Sequence, residues 1–115
     1  MAVTLLNIIA IQLPTATTSP IFAGSTTKAT LVKNILLTNT GSASEQVNIY
    51  LKIGGATAPG RLISPKNMQI PANSQVILDA EVTLATTASS ADQIYGSTTT
   101  ASTVDCVING MQRDL

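Results

Sequence analysis

The sequence of 115 residues has no histidine, no tryptophan, a single cysteine and only three aromatic residues, Phe22, Tyr50 and Tyr95. Each shortage removes a class of chemistry. Without histidine there is no Ser-His-Asp or Cys-His nucleophile, no imidazole acid–base group and no imidazole ligand for zinc. One cysteine, Cys106, makes an internal disulfide impossible, so folding must rest on packing. Charge is also scarce. Asp, Glu, Lys and Arg make up 10% of the chain, against about 25% in an average protein. Six cations and six anions are scattered singly, giving a formal net charge of zero. A nucleic-acid binder needs a basic stripe that displaces counterions from phosphates; Lys28, Lys33, Lys52, Arg61, Lys66 and Arg113 form none. No apolar run approaches the roughly twenty residues that span a bilayer as a helix. The opening run MAVTLLNIIAIQL has no basic n-region, its first cation being Lys28, and Asn7 and Gln12 interrupt it. It is expected to be a strand rather than a signal peptide.

What fills the gap is Thr and Ser, together about a quarter of the residues. The branched Cβ of Thr favours extended backbone. Short apolar runs separated by Gly, Pro, Asn and Ser predict strands over Val3–Leu13, Ile21–Gly24, Ala29–Asn39, Gln46–Gly54, part of Arg61–Ile70, Ser74–Leu84, Asp92–Thr99 and Thr103–Gln112. Alternation is cleanest where Val47, Ile49, Leu51 and Ile53 share one face. It recurs with Val76, Leu78, Ala80 and Val82 inward and Gln75, Asp79 and Glu81 outward. Pro71-Ala72-Asn73-Ser74 is a turn, proline fixing φ and asparagine tolerating positive φ. The expected fold is all-β: one antiparallel two-sheet sandwich of seven to eight strands, jelly-roll-like or immunoglobulin-like, with an aliphatic core. Residues 1–18 are set apart as an N-terminal strand or arm with its linker, and 19–115 as the sandwich domain.

No constellation of residues points to catalysis or to a bound cofactor or metal. Asp79 and Glu81 are the only close carboxylate pair, on one expected strand face rather than across a cleft, where they keep that face soluble or meet a basic neighbour. Cys106 lies on the alternation between Val104 and Ile108 and reads as a small buried hydrophobe. Acidic spacing matches no calcium loop, and no glycine cluster matches a phosphate loop. A chain with mean hydropathy of +0.32 and no net charge has little to resist association. The reading is a non-enzymatic protein whose surface is covered by neighbours. The candidate contact is the opening run, apolar on both sides: Val3, Leu5, Ile9, Ile11 and Leu13 on one, Leu6, Ile8 and Ala10 on the other. Such a run is either a central strand covered on both faces or an arm that adds to a neighbour's sheet.

From Ile21 to Gln112 the order of elements resembles small virion proteins of tailed bacteriophages and prophages. The residues that carry this are Val32-Lys33-Asn34-Ile35-Leu36-Leu37-Thr38-Asn39-Thr40, a small-residue turn, then Val47-Asn48-Ile49-Tyr50-Leu51. They continue with Ile70-Pro71-Ala72-Asn73-Ser74 and the final Val107-Ile108-Asn109-Gly110-Met111. The family's Gly-Asp turn before the penultimate strand is replaced by Ala85 to Ala91, ATTASSA. The resemblance implies a virion structural protein: a capsid decoration or cement protein, with a tail, neck or fibre component as the alternative. A carbohydrate-binding adhesin module is a third reading from another class, which the absence of Trp and the three aromatics in total argue against. The resemblance also implies synthesis in the host cytoplasm, a place on the capsid surface, and as partners the major capsid protein, other virion proteins and further copies of itself.

Overall fold

The computed structural model describes residues 3–17, 19–55, 57, 59–79, 81–84 and 91–114, and for residues 3–8 the backbone alone. The strands are β1 (Val3–Gln12), β2 (Phe22–Ala23), β3 (Lys28–Asn39), β4 (Glu45–Lys52), β5 (Arg61–Leu62), β6 (Met68–Ile70), β7 (Gln75–Leu78), β8 (Val82–Leu84), β9 (Gln93–Thr98) and β10 (Val104–Asp114). All pairings are antiparallel. One sheet, A, runs β1-β10-β3-β7 with β8 also on β3; the other, B, runs β2-β9-β4-β5 with β6 also on β4. This is the expected all-β sandwich of two antiparallel sheets.

Two strand lines are broken where the sequence pattern seemed continuous or blurred. Ser74–Leu84, expected as one strand, is two: β7 pairs Ile35–Thr38 and β8 pairs Thr30–Val32 along the same edge of β3. Asp79 and Glu81 are exposed on the link between them rather than on a strand, and Ala80 lies outside the described residues. In sheet B, β5 and β6 flank β4 with Pro65 between them, and the Ser64 hydroxyl accepts the N–H of Ile49 at 3.0 Å where the ladder is interrupted. Ten segments thus make eight strand lines, four in each sheet. The alternation of β4 also ends sooner than expected, since Ile53 is 63% exposed in the turn that follows. The Ala85–Ala91 stretch lies outside the described residues except for Ala91.

The opening run is neither a central strand nor separate from the sandwich. It is the edge strand of sheet A, in register with β10 from Val3↔Arg113 to Gln12↔Asp105. The register shifts between Asn7 and Ile9, so Leu5 stands opposite Met111 and Ile9 opposite Ile108, positions of opposite parity on β10. One alternation therefore does not run through the whole strand. The side chains of Val3, Leu5, Leu6 and Ile8 lie outside the described residues; Ile9 and Ile11 pack against the core and Leu13 is within it.

Leu13 marks a corner. Its N–H bonds to Val104 in sheet A, while the carbonyl of the next residue, Pro14, accepts from Thr98 in sheet B. The chain thus changes sheets between these two residues. Beneath the corner, a Cβ on Gly96 would come within 3.0 Å of Ile49, 3.1 Å of Leu13 and 3.3 Å of Ile21. A side chain here would push these three methyl groups back by a few tenths of an ångström, so the glycine lets the core pack closely at the corner. The core is aliphatic, Val32, Ile35, Leu37, Val47, Ile49, Ile94, Val104 and Ile108 facing one another with Cys106 among them.

One end of the sandwich is closed by polar side chains. Asn39 is fully buried; its Nδ2 donates to the carbonyls of Ala43 (2.8 Å) and Ile70 (2.9 Å), and its Oδ1 accepts from the N–H of Gly41 (2.9 Å). Glu45 opens β4, and its Oε1 accepts from the Thr100 N–H (2.7 Å) and from the Thr103 (3.0 Å) and Thr98 (3.2 Å) hydroxyls. Desolvation raises the Glu45 pKa, but these three donors, which favour the carboxylate, outweigh it and hold the group below its ordinary value. Together Asn39 and Glu45 tie the β3–β4 turn to the β6–β7 turn and to the β9–β10 hairpin.

Two predictions follow from this closed end. Asn39→Ala removes three hydrogen bonds worth about 1 kcal/mol each. Its unfolding free energy in urea falls by roughly 3 kcal/mol, whereas a cost below about 0.5 kcal/mol would remove Asn39 from the account of the fold. For Glu45 the unfolded chain takes up a proton before the folded one does, as pH falls. Its contribution is therefore complete above the ordinary carboxylate range and is lost as pH drops through the lowered folded value. The stability advantage of the native chain over Glu45→Gln, read by urea titration, is larger at pH 7 than at pH 3; an unchanged advantage would contradict the assignment.

Candidate interaction surface

Strand β10 alternates strictly, Val104, Cys106, Ile108 and Gly110 buried and Asp105, Val107, Asn109 and Met111 partly exposed. Burial pushes the Cys106 thiol up to about 12, so it remains protonated and unreactive at neutral pH. The odd-numbered residues face away from sheet B. With the registers of β1, β3, β7 and β8, they organise the outer face of sheet A into rows that cross the strands.

The first row is polar: Gln12, Asp105, Thr38 and Gln75, with Gln12 donating to Asp105 (3.3 Å) and Gln75 to Thr38 (3.0 Å). Next is an apolar row, Ala10, Val107, Leu36 and Ile77, in which Ile77 is 58% exposed. Then come Asn109 and Asn34, joined by a bond from Nδ2 to Oδ1 of 2.9 Å, with Asn7 in register beside them. A second apolar row follows, Met111, Leu31 and Thr83, and here the surface dips into a shallow depression of about 290 Å3. Arg113 and Ala29 end the series. A sheet face of a soluble sandwich ordinarily alternates apolar-in with polar-out; here all four outward positions of one row, Ala10, Val107, Leu36 and Ile77, are apolar.

The edge beside this face is equally open. Three of the four sheet edges consist of segments of four residues or fewer: β2, the β5/β6 line and the β7/β8 line. Short or broken edges resist strand addition, as do charges and prolines. β1 has ten residues, none charged and none proline, and no strand pairs with its far side among the described residues. Its one defence is the register shift at Ile8. Because the N–H of Leu13 bonds to Val104, the antiparallel pattern directs the N–H and C=O of Ile11 and Ile9 towards β10 as well, and those of Gln12 and Ala10 outwards. Ala10 and Gln12 are exposed.

Of the candidate contact residues, then, the structure buries Leu13, half-buries Ile9 and Ile11, and uses all three to hold β1 to the core. What it leaves accessible is backbone and the intervening positions. Besides Ala10 of the opening run, the partly or fully exposed outward positions include Gln12, Leu36, Ile77, Val107 and Met111. The outward alternation of β10 and β3 carried that signal. On sheet B, the outer face holds a Tyr50–Tyr95 pair, with the Lys52 ammonium 4.0 Å from the Tyr95 ring centre and the Tyr95 hydroxyl bonded to Gln93 (2.8 Å). Tyr95 is itself buried, so its ring is no open stacking platform.

No protein-family model matches the chain, and no curated protein matches it. Among solved structures it is similar to chains in those of infectious bursal disease virus, strains Gx and Gt, at 11% and 13% identity and TM-scores of 0.47 and 0.48. Each match covers 96% of this chain, which spans only 32% of the viral chain. That virus infects animals and is not a tailed phage.

Proposed function

We propose that this protein is a structural subunit of a virus particle that acts by binding rather than catalysis, as a capsid decoration or cement protein of a tailed phage. The observation that carries the reading is the uncharged, proline-free edge strand β1, ten residues with no strand on the far side among the described residues, beside an outer sheet face that carries two apolar rows. Natural sandwiches blunt such an edge unless something covers it. Its chemistry selects an extended, charge-poor segment of a neighbouring virion protein, which adds to sheet A through main-chain hydrogen bonds. A neutral surface can be buried this way without desolvating unpaired ions, each of which would cost several kcal/mol. Weak contacts repeated over a lattice accumulate through effective concentration. The sequence features shared with small phage virion proteins favour the capsid, and the same edge would serve a tail or neck component present in few copies.

Deleting residues 2–13 is a poor test, since it removes Leu13 from the core and uncovers β10. Gln12→Pro is sharper: it deletes one outward N–H while leaving the β10 ladder intact, a place where an edge strand accepts proline. The variant keeps the native circular dichroism spectrum, and its occupancy on purified particles, measured on stained gels against the major capsid protein, falls about tenfold. Full occupancy would refute strand addition at β1. For the native protein the same gels give hundreds of copies per particle if it decorates the capsid, and a few if it belongs to the tail.

A further inference from the structure

The rows on the outer face of sheet A are symmetric about the Asn109–Asn34 row, and we infer that this face pairs with the same face of a second copy of the chain. The argument lies in the outward positions of β10, which read Asp105, Val107, Asn109, Met111 and Arg113. Take a half-turn about an axis that lies in the interface and crosses the strands at Asn109. Each position then meets the one equally far on the other side. Val107 of one copy faces Met111 of the other, and Asp105 faces Arg113 four residues, or about 13 Å, from the axis. The charges are opposite, and the operation supplies that pair twice.

The neighbouring strands obey the same symmetry. On β3, Leu36 and Leu31 stand in the two apolar rows and exchange partners. On the broken outer line, Ile77 of β7 meets Thr83 of β8, which covers one of the largest exposed hydrophobic surfaces in the chain. The two register shifts make this possible. Ile8 in β1 and Lys33 in β3 are the extra residues that bring Asn7, Asn109 and Asn34 into one line. Lys33 itself falls level with the interruption between β7 and β8, where Asp79 and Glu81 are exposed. The two lysines near the axis therefore have carboxylates within reach in both copies.

Positions 105–113 of four strand lines cover on the order of 30 by 19 Å, or about 550 Å2 per copy. The total of about 1,100 Å2 lies at the small end of specific interfaces, so the pair is reversible. Two sheets stacked this way lie about 10 Å apart, as in the interior of a sandwich. The β1 edge stays open at the side, free for the strand addition proposed above. The inference rests on that reading only in taking this face to be covered in the working state.

Charge reversal provides the test, in sedimentation equilibrium of the isolated full chain at low salt. The native protein shows a monomer–dimer equilibrium. Asp105→Arg and Arg113→Asp, each of which sets like charges face to face, weaken dimerisation about tenfold or more. The double variant, Asp105→Arg with Arg113→Asp, restores the opposite pairing and recovers the native constant to within about threefold. Both positions are at the surface, and circular dichroism verifies that each variant folds. A native chain that remains monomeric at millimolar concentration, or a double variant no better than the single ones, overturns the inference. Either result leaves particle occupancy by Gln12→Pro untouched, so the two readings fail separately.

Discussion

Strand β10 lies between β1 and β3, and its alternation determines what both sides of sheet A do. Its even-numbered residues supply Val104, Cys106 and Ile108 to the core; its odd-numbered residues supply the rows of the outer face. A slip of one residue would exchange the two sets, burying Asp105 and Asn109 and exposing three aliphatic or thiol side chains. The cost of that exchange exceeds the stability of most small domains. Register is held from the core by hydrophobic packing and from outside by the Asn109–Asn34 bond. A short polar pair of this kind stabilises little but discriminates strongly between alignments.

The closed polar end performs the same task for the turns. Sandwich sheets touch mainly through their cores, so the connections between them need separate fastening. Asn39 and Glu45 sit at the two ends of the β3–β4 turn and reach carbonyls, amides and hydroxyls as many as 58 residues away in sequence. Both are charged or strongly polar groups taken almost wholly out of water, Asn39 with three hydrogen bonds and Glu45 with three to one carboxylate oxygen. Burial without partners would make each a liability, whereas with them each makes one turn conformation far cheaper than its competitors. The abundance of Thr acquires a meaning here beyond strand propensity, since Thr98 and Thr103 supply the hydroxyls that replace water around Glu45.

Strands, sheets and the aliphatic core were legible because period-two alternation and turn residues report directly on burial. Asn73 was legible too, at φ 56° in the turn where asparagine was expected to tolerate positive φ. Three features were not. The break between β7 and β8 is invisible to alternation, because Val76, Leu78 and Val82 keep their parity across it while pairing with separated parts of β3. The shifts at Ile8 and Lys33 show only when two strands are aligned, so the opening run was given one continuous face that the ladder does not have. The role of Glu45 has no local signal, since all its partners lie in another hairpin. Local pattern reports which side of a strand is wet; it is silent about which strand lies next to it.

The same limit applies to the opening run. Of its described apolar side chains, Ile9 and Ile11 pack against the chain's own core and Leu13 lies within it, turning the corner between the sheets. An edge strand has two distinct surfaces, side chains up and down and main chain sideways, and only the first is written in residue types. The sideways surface follows from position in the sheet and from hydrogen-bond phase, both set here by the single bond from the Leu13 N–H to Val104. Scarcity of charge has the same double reading. In a buried strand it reflects solvent exclusion by the molecule itself, while on Leu31, Leu36, Val107 and Met111 it persists on the far side of the sheet, where these side chains are only partly buried. Low charge on a face turned away from the core is therefore the more informative of the two, because folding of the monomer does not require it.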